Sequence, residues 1–185
     1  MKRWRTVRNA LLDLRYGKVL AGTIETPYEH LGAFDTTNSQ YEDLLHLFAA
    51  AEIGPGDVIV DVGCGKGRVL NWLVRAYPEN RLYGIELDPA VCADTARRLR
   101  RFGNVTVLCG DATELLPPEG TVFYLFNPFD ESVMRRFVSA LPEPARVVYY
   151  KSKFLEPFRE DPTLVVSEIE LPSGSHESAL IRRRC

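Results

Sequence analysis

Residues 58 to 70 read VIVDVGCGKGRVL, a short apolar run that passes straight into three glycines spaced two apart and then into a helical pattern. A run broken only by Asp61 suits a strand buried on both faces, as in parallel sheets covered by helices. The turn after such a strand leaves backbone N–H groups facing the crevice in which open α/β sheets bind their ligands. Gly63, Gly65 and Gly67 therefore point to an α/β sheet with a ligand site at this strand end. Length agrees with one unit: 185 residues with 45% apolar content suffice for a domain that buries roughly 70% of its unfolded surface. Any two ligands must then share one scaffold.

The strand-to-helix beat repeats along the chain. DVIVDVG (57 to 63) is followed by RVLNWLVRAYP (68 to 78), with Val69, Trp72, Leu73 and Ala76 on one helical face. RLYGIEL (81 to 87) is followed by DPAVCADTARRLRRF (88 to 102), where Asp88 is placed to cap the helix and Pro89 suits its first position. NVTVLCG (104 to 110), TVFYLFNPF (121 to 129) with ESVMRRFVSAL behind it, and ARVVYYKS (145 to 152) complete five strands. TLVVSEIEL (163 to 171) and ESALIRR (177 to 183), joined by PSGS, read as a closing hairpin. The expectation is a three-layer, Rossmann-like α/β sandwich: seven strands, mostly parallel, with an antiparallel C-terminal pair.

Residues 39 to 51 read as a helix that opens the domain of residues 39 to 185, with Ser39 and Glu42 in capping-box spacing. Residues 1 to 38 form a separate N-terminal region. Its first 18 residues carry six Lys or Arg against one Asp, with Trp4, Val7, Leu11 and Leu14 along one face, the pattern of a basic amphipathic helix. Three partners suit it: the sheet of the same chain, an anionic membrane surface, or an acidic partner including RNA. The Thr-rich stretch from Gly22 to Asn38 reads as a lid, placing Thr37 or Tyr41 near the site. A formal charge of −2 argues against a protein that grips nucleic acid over its whole surface. Cys64, Cys92, Cys109 and Cys185 lack CxxC spacing, so neither a disulfide framework nor a zinc site is expected, and a reducing cytoplasm fits. No run of 18 apolar residues is present for a membrane span.

Dinucleotide-binding domains use GxGxxG, whereas this loop reads GxGxG, and Asp61 would repel a diphosphate. A ligand with a cationic amino group is favoured instead. With these residues the chain resembles the class I S-adenosylmethionine-dependent methyltransferases, and among them small bacterial members with GCGKGR and FNPF. VDVGCGKG resembles the loop in which the acid and the backbone of Gly63, Cys64 and Gly65 hold the methionine end of S-adenosylmethionine. YGIELDPA resembles the second motif, with Glu86 taking the ribose hydroxyls and Leu87 beside it. GDAT resembles the third, with Asp111 and Ala112 on the adenine.

FNPF is similar to the [DN]PP[FY] motif of amine and amide methylators, lacking one proline and bringing Phe129 one residue closer. The resemblance implies that Asn127 and the Pro128 region accept hydrogen bonds from a target nitrogen, with Phe129 packed over it and Asn127 also near the cofactor. The acceptor implied is a nitrogen or oxygen on a small molecule or an exposed side chain. It would sit between the N-terminal segment, the FNPF loop and the loop from Lys151 to Arg159. Two other readings stay open: a protein-lysine methyltransferase of the same fold, and a non-catalytic cofactor-binding module acting through its basic helix. Asn127 has a plainer role available, capping the next helix. His30 and His176 are candidate bases for an oxygen acceptor, and His46 reads as a packed or surface residue. No metal cluster is evident; Asp130 beside Asn127 makes too few ligands.

Overall fold

The computed structural model describes residues 2–15, 18–171 and 178–184, with side chains of the first helix described from Val7 onward. The chain begins with α1 (Lys2–Arg15), a short 3-10 turn (Glu29–Leu31) and α2 (Tyr41–Ala50). The alternation then runs β1 (Val58–Val62), α3 (Arg68–Ala76), β2 (Arg81–Glu86), α4 (Pro89–Leu99), β3 (Val105–Cys109), α5 (Ala112–Leu115) and β4 (Val122–Leu125). It ends with α6 (Glu131–Ala140), β5 (Arg146–Tyr149), α7 (Glu156–Arg159), β6 (Leu164–Ile169) and β7 (Ser178–Arg183). The seven strands form one sheet in the order β3-β2-β1-β4-β5-β7-β6. β1 to β5 are parallel, and β7 is antiparallel to both β5 and β6. This is the sheet expected from the sequence, with β7 inserted between its hairpin partner and the parallel body.

Strand β1 shows why the sheet must be covered on both sides. Ile59 packs with Leu44, Phe48, Leu70 and Leu73 of α2 and α3, while Val60 and Val62 pack on the opposite face with Met134, Phe137 and Phe158 of α6 and α7. Successive side chains point to opposite faces, so an apolar run without alternation has to meet a helix layer on each. The order of β1 and β4 reverses the direction in which strands are added, and ligand crevices form outside the strand ends at such a point.

Local capping agrees with the sequence at α4, where Asp88 Oδ1 accepts from the amides of Ala90 and Val91. It differs at two other helices. α2 starts after Gln40 with no side-chain cap, and the Ser39 hydroxyl instead pairs with the buried Tyr124 hydroxyl at 2.7 Å. A phenol with no access to water needs that partner more than a solvent-facing helix end does. Glu42 faces Arg8 at 3.8 Å. α6 is capped by Asp130, which accepts from Val133 N at 2.9 Å, so Asn127 is not its cap. On α3, Ala76 is exposed, and the inward positions are Val69, Leu70, Leu73 and Val74 with Trp72 half-buried.

The cysteines also depart from expectation. Cys92 of α4 and Cys109 at the end of β3 form a disulfide, with their Cα atoms 5.7 Å apart. Their separation of 17 residues carries no local motif; the helix returning over the sheet brings them together. The cysteine pattern therefore no longer argues for a reducing compartment. Among the described residues, no helix is long and apolar enough to cross a membrane.

Candidate functional site

A cavity of about 470 Å³ opens at the carboxyl ends of β1, β2, β3 and β4. It collects Asp61, Gly63 and Cys64 from the first loop, Glu86 and Leu87 from the second, and Asp111 and Ala112 from the third. Asn127, Pro128 and Phe129 come from the fourth. The lid expectation also finds its place: Ile24 to Ser39 contributes much of the roof, including Thr36, Thr37 and His30. Tyr41 does not reach the cavity; its hydroxyl donates to the buried Asp13 at 3.0 Å. His46 is exposed on α2, and His176 lies outside the described residues.

The glycine loop is shaped by close approach of the chain to itself. Gly63 has φ +72, and a Cβ there would stand 2.7 Å from Pro128 Cβ. At Gly65, with φ +50, a Cβ would fall 2.3 Å from Thr36 Cγ2 on the roof. Side chains are excluded here because the FNPF loop and the lid already fill that space, not only to admit a ligand. The loop amides are also engaged: Gly63 N and Cys64 N both donate to Ile85 O, and Gly65 N donates to Glu86 Oε2 at 2.7 Å.

Asp61 is the electrostatic centre of the site. It is 2% exposed, and its Oδ2 has no hydrogen-bond partner among the described residues. Burial, aided by the charge of Glu86, pushes its carboxyl from the ordinary 3.8 up to about 8. Glu86 is also buried, and burial raises it too, while the amides of Asp88 and Gly65 oppose the rise. Its Oε1 accepts from Asp88 N at 3.0 Å, which leaves lone pairs on both oxygens. The Cys64 thiol is raised well above its usual range by burial and by the neighbouring charges of Asp61 and Glu86, which makes it a poor nucleophile. Asp111 caps α5 through Oδ1, accepting from Thr113 N at 2.8 Å, and its Oδ2 faces Arg136 at 3.9 Å.

The FNPF loop is arranged differently from the expectation. Asn127 sits at φ +43, and its carboxamide is turned into the protein. Oδ1 accepts from Tyr149 OH at 2.8 Å and Lys153 N at 3.2 Å, and Nδ2 donates to Lys151 O at 2.8 Å. The Pro128 carbonyl accepts from Phe34 N at 3.2 Å. Both oxygens expected to hold a target nitrogen thus already have protein donors. Phe129 is buried against Phe137, with ring centres 5.6 Å apart, as part of the core. The half-buried aromatic on the cavity is Phe126, edge-on to Tyr150 at 4.7 Å.

Sequence reasoning missed Arg68 and Arg136 as well. Arg68, the first residue of α3, is buried at the cavity wall and holds Asp13 through Nε at 3.0 Å and Nη2 at 2.6 Å. Its partner lies 55 residues away, and nothing local announces it. Among the described residues no group of histidines, cysteines and carboxylates could hold a metal ion.

Comparison with known proteins matches the chain to methyltransferases. Residues 59–148 match the family model described as a methyltransferase domain. Over 73 residues the chain is 34% identical to a probable ribosomal RNA small subunit methyltransferase A of Methanosarcina barkeri, covering 40% of this chain and 25% of that protein. It is 42% identical over 73 residues to a probable cobalt-precorrin-6B C(15)-methyltransferase of Methanothermobacter thermautotrophicus, covering 38% of this chain and 37% of the relative. The chain thus spans well under half the length of these relatives. Among solved structures, an RNA methyltransferase from Salinibacter ruber in complex with S-adenosylhomocysteine superposes with a TM-score of 0.62 at 21% identity. That match covers 80% of this chain and 93% of the other.

Proposed function

We propose, for a chain whose residues 59–148 form a methyltransferase domain with the class I, Rossmann-like fold, that the cavity binds S-adenosylmethionine and that its methyl group passes to a nitrogen or oxygen on a small molecule or exposed side chain. The observation that carries this reading is the unpartnered Asp61 oxygen, buried at the end of β1 on the cavity wall. An orphaned buried carboxylate is costly, and an ammonium group is the partner that offsets that cost. The amino acid end of the cofactor carries one.

The remaining residues fit the same ligand. Glu86 keeps a lone pair on each oxygen for two ribose hydroxyls after serving Gly65 and Asp88. Asp111, Ala112 and Leu87 line the cavity at the next strand ends for an adenine ring. When bound, the cofactor supplies a methyl group on a sulfonium, open to in-line displacement by a nucleophile. The chain's part is to fix geometry and exclude water, which lowers the barrier without covalent participation.

With Asn127 Oδ1 already accepting from two protein donors, the acceptor is held by the roof and by the lone pair that Pro128 O keeps after serving Phe34 N. His30, on the roof at the cavity, is the residue proposed to take a proton from an oxygen acceptor. Phe126 supplies the apolar wall.

Thermal unfolding with S-adenosylmethionine, S-adenosylhomocysteine or NAD in excess tests the cofactor assignment. At about 100 times its dissociation constant a ligand stabilises by about 2.7 kcal/mol, or roughly 5 to 10 °C in a domain of this size. A shift with both adenosyl sulfur ligands and none with NAD is expected. A shift with NAD alone, or with none of the three, overturns the reading.

A further inference from the structure

Helix α1 is amphipathic, but its apolar face is turned away from the protein. Val7, Leu11 and Leu14 are 51%, 63% and 56% exposed and fall at i, i+4 and i+7, one stripe on one side of a helix. The face that packs is polar. Asn9 Nδ2 donates to Gln40 Oε1 at 2.5 Å, and Asp13 is fully buried against Arg68, Tyr41 OH and Leu20 N. Among the described side chains of this helix, only Leu12 packs against the core. Intramolecular packing therefore accounts for the polar residues and leaves the aliphatic stripe without a function.

Charge identifies what the stripe meets. Residues 1 to 18 hold six Lys or Arg and one acid, Asp13, and that acid is consumed inside by Arg68. Among the described residues, Arg8 and Lys18 make exposed pairs, with Glu42 at 3.8 Å and with Asp94 at 2.9 Å, which water and salt screen readily. The outer surface of α1 carries the aliphatic row of Val7, Leu11 and Leu14, with the exposed Arg8 and Arg15 on the same helix.

We propose that this face is a docking surface for an anionic lipid bilayer, with α1 lying in the interface. Aliphatic side chains enter the acyl boundary while Lys and Arg meet lipid phosphates, each cation contributing about fivefold in affinity near an anionic surface. Single-stranded RNA would be matched by the cations, but the exposed aliphatic side chains of Val7, Leu11 and Leu14 offer its bases no stacking face. A second copy of α1 laid against the first would set like charges together. At 14 residues the helix is too short to span, so contact is peripheral and reversible. Lys66 Nζ and Asn38 Nδ2 hold the backbone of Ala21, Gly22 and Leu20, where the chain leaving α1 becomes the cavity roof. The surface does not depend on the methyltransferase reading.

The test is flotation of the full chain with vesicles of phosphatidylcholine alone and of phosphatidylcholine mixed with phosphatidylglycerol. Binding to the mixed vesicles alone, weakened by salt, is expected. The triple variant Val7→Ser, Leu11→Ser, Leu14→Ser should partition at least about tenfold less, while keeping the parent's unfolding temperature because these side chains are exposed. No binding to mixed vesicles, or undiminished binding by the triple variant, overturns the proposal. So does retention of a single-stranded RNA oligonucleotide, or a dimer abolished by the variant, in place of vesicle binding.

Discussion

Replacing Asp61 with asparagine removes the charge that the fold accommodates worst. Between 3.8 and about 8 the carboxyl is protonated in the folded chain and ionised in the unfolded one. The folded state then binds more protons, so stability falls as pH rises through this window. Each pH unit inside it costs about 1.4 kcal/mol, and at pH 7 the accumulated cost is about 4 kcal/mol. Asparagine never ionises, but it places an amide in a pocket where Oδ2 now has no donor, a penalty of about 1–3 kcal/mol. The variant without ligand should therefore be more stable than the parent at pH 7 by about 1–3 kcal/mol, a rise of roughly 3 to 10 °C in unfolding temperature. At pH 5 the advantage should shrink to near zero or reverse. The ligand response should move the other way: the parent should bind S-adenosylhomocysteine more tightly as pH rises from 6 to 8, up to about tenfold per unit, whereas Asp61→Asn should bind weakly with little pH dependence. Differential scanning fluorimetry across pH, with and without ligand, reads both. A variant less stable than the parent at pH 7 that still binds with the parent's affinity would refute the assignment of Asp61 as a buried, cation-seeking carboxylate.

Glu86→Ala should abolish the thermal shift with either adenosyl ligand and also lower stability by about 1–3 kcal/mol, because the Gly65 and Asp88 amides lose their acceptor; an unchanged ligand shift measured by fluorimetry would sink the ribose assignment. Asn127→Ala should show mainly in denaturant unfolding, with a loss of about 2 kcal/mol from three severed bonds to Tyr149, Lys153 and Lys151, and cofactor affinity within a few-fold of the parent; full stability with reduced turnover would return it to a catalytic role. Gly65→Ala should destabilise through both the Thr36 clash and the positive φ. Adding Thr36→Ser removes the clashing methyl, so the double variant should recover the steric part and retain about 1–2 kcal/mol of backbone cost; a double variant no better than the single one would contradict the close approach of lid and loop.

The convergence of three acids on one cavity was legible in the sequence because its signals are local. Asp61, Glu86 and Asp111 each end a strand whose apolar run and following turn mark its boundary, so their convergence follows from the parallel order alone. The acceptor side was not legible. Asn127 and Phe129 stand in a recognisable motif, but whether a carboxamide faces the cavity or braces β5 depends on Tyr149 and Lys153, more than 20 residues on. The Thr-rich lid was placed correctly over the site, yet its pairing with the FNPF loop, through Gly32 O accepting from Asp130 N and Phe34 N donating to Pro128 O, has no sequence signature.

What the amino-acid sequence determined by itself was the α/β alternation, the loop of left-handed glycines and the three acids at strand ends, since periodicity and turn chemistry act over a few residues. Tertiary structure alone decided the partners: Ser39 with Tyr124, Asp13 with Arg68, Cys92 with Cys109, and the outward turn of Val7, Leu11 and Leu14 on α1. The physical reason is burial. Hydrophobic pattern says which residues suit an interior, but a buried polar group must find one specific donor or acceptor, and that requirement turned the polar face of α1 inward and left its apolar face outside.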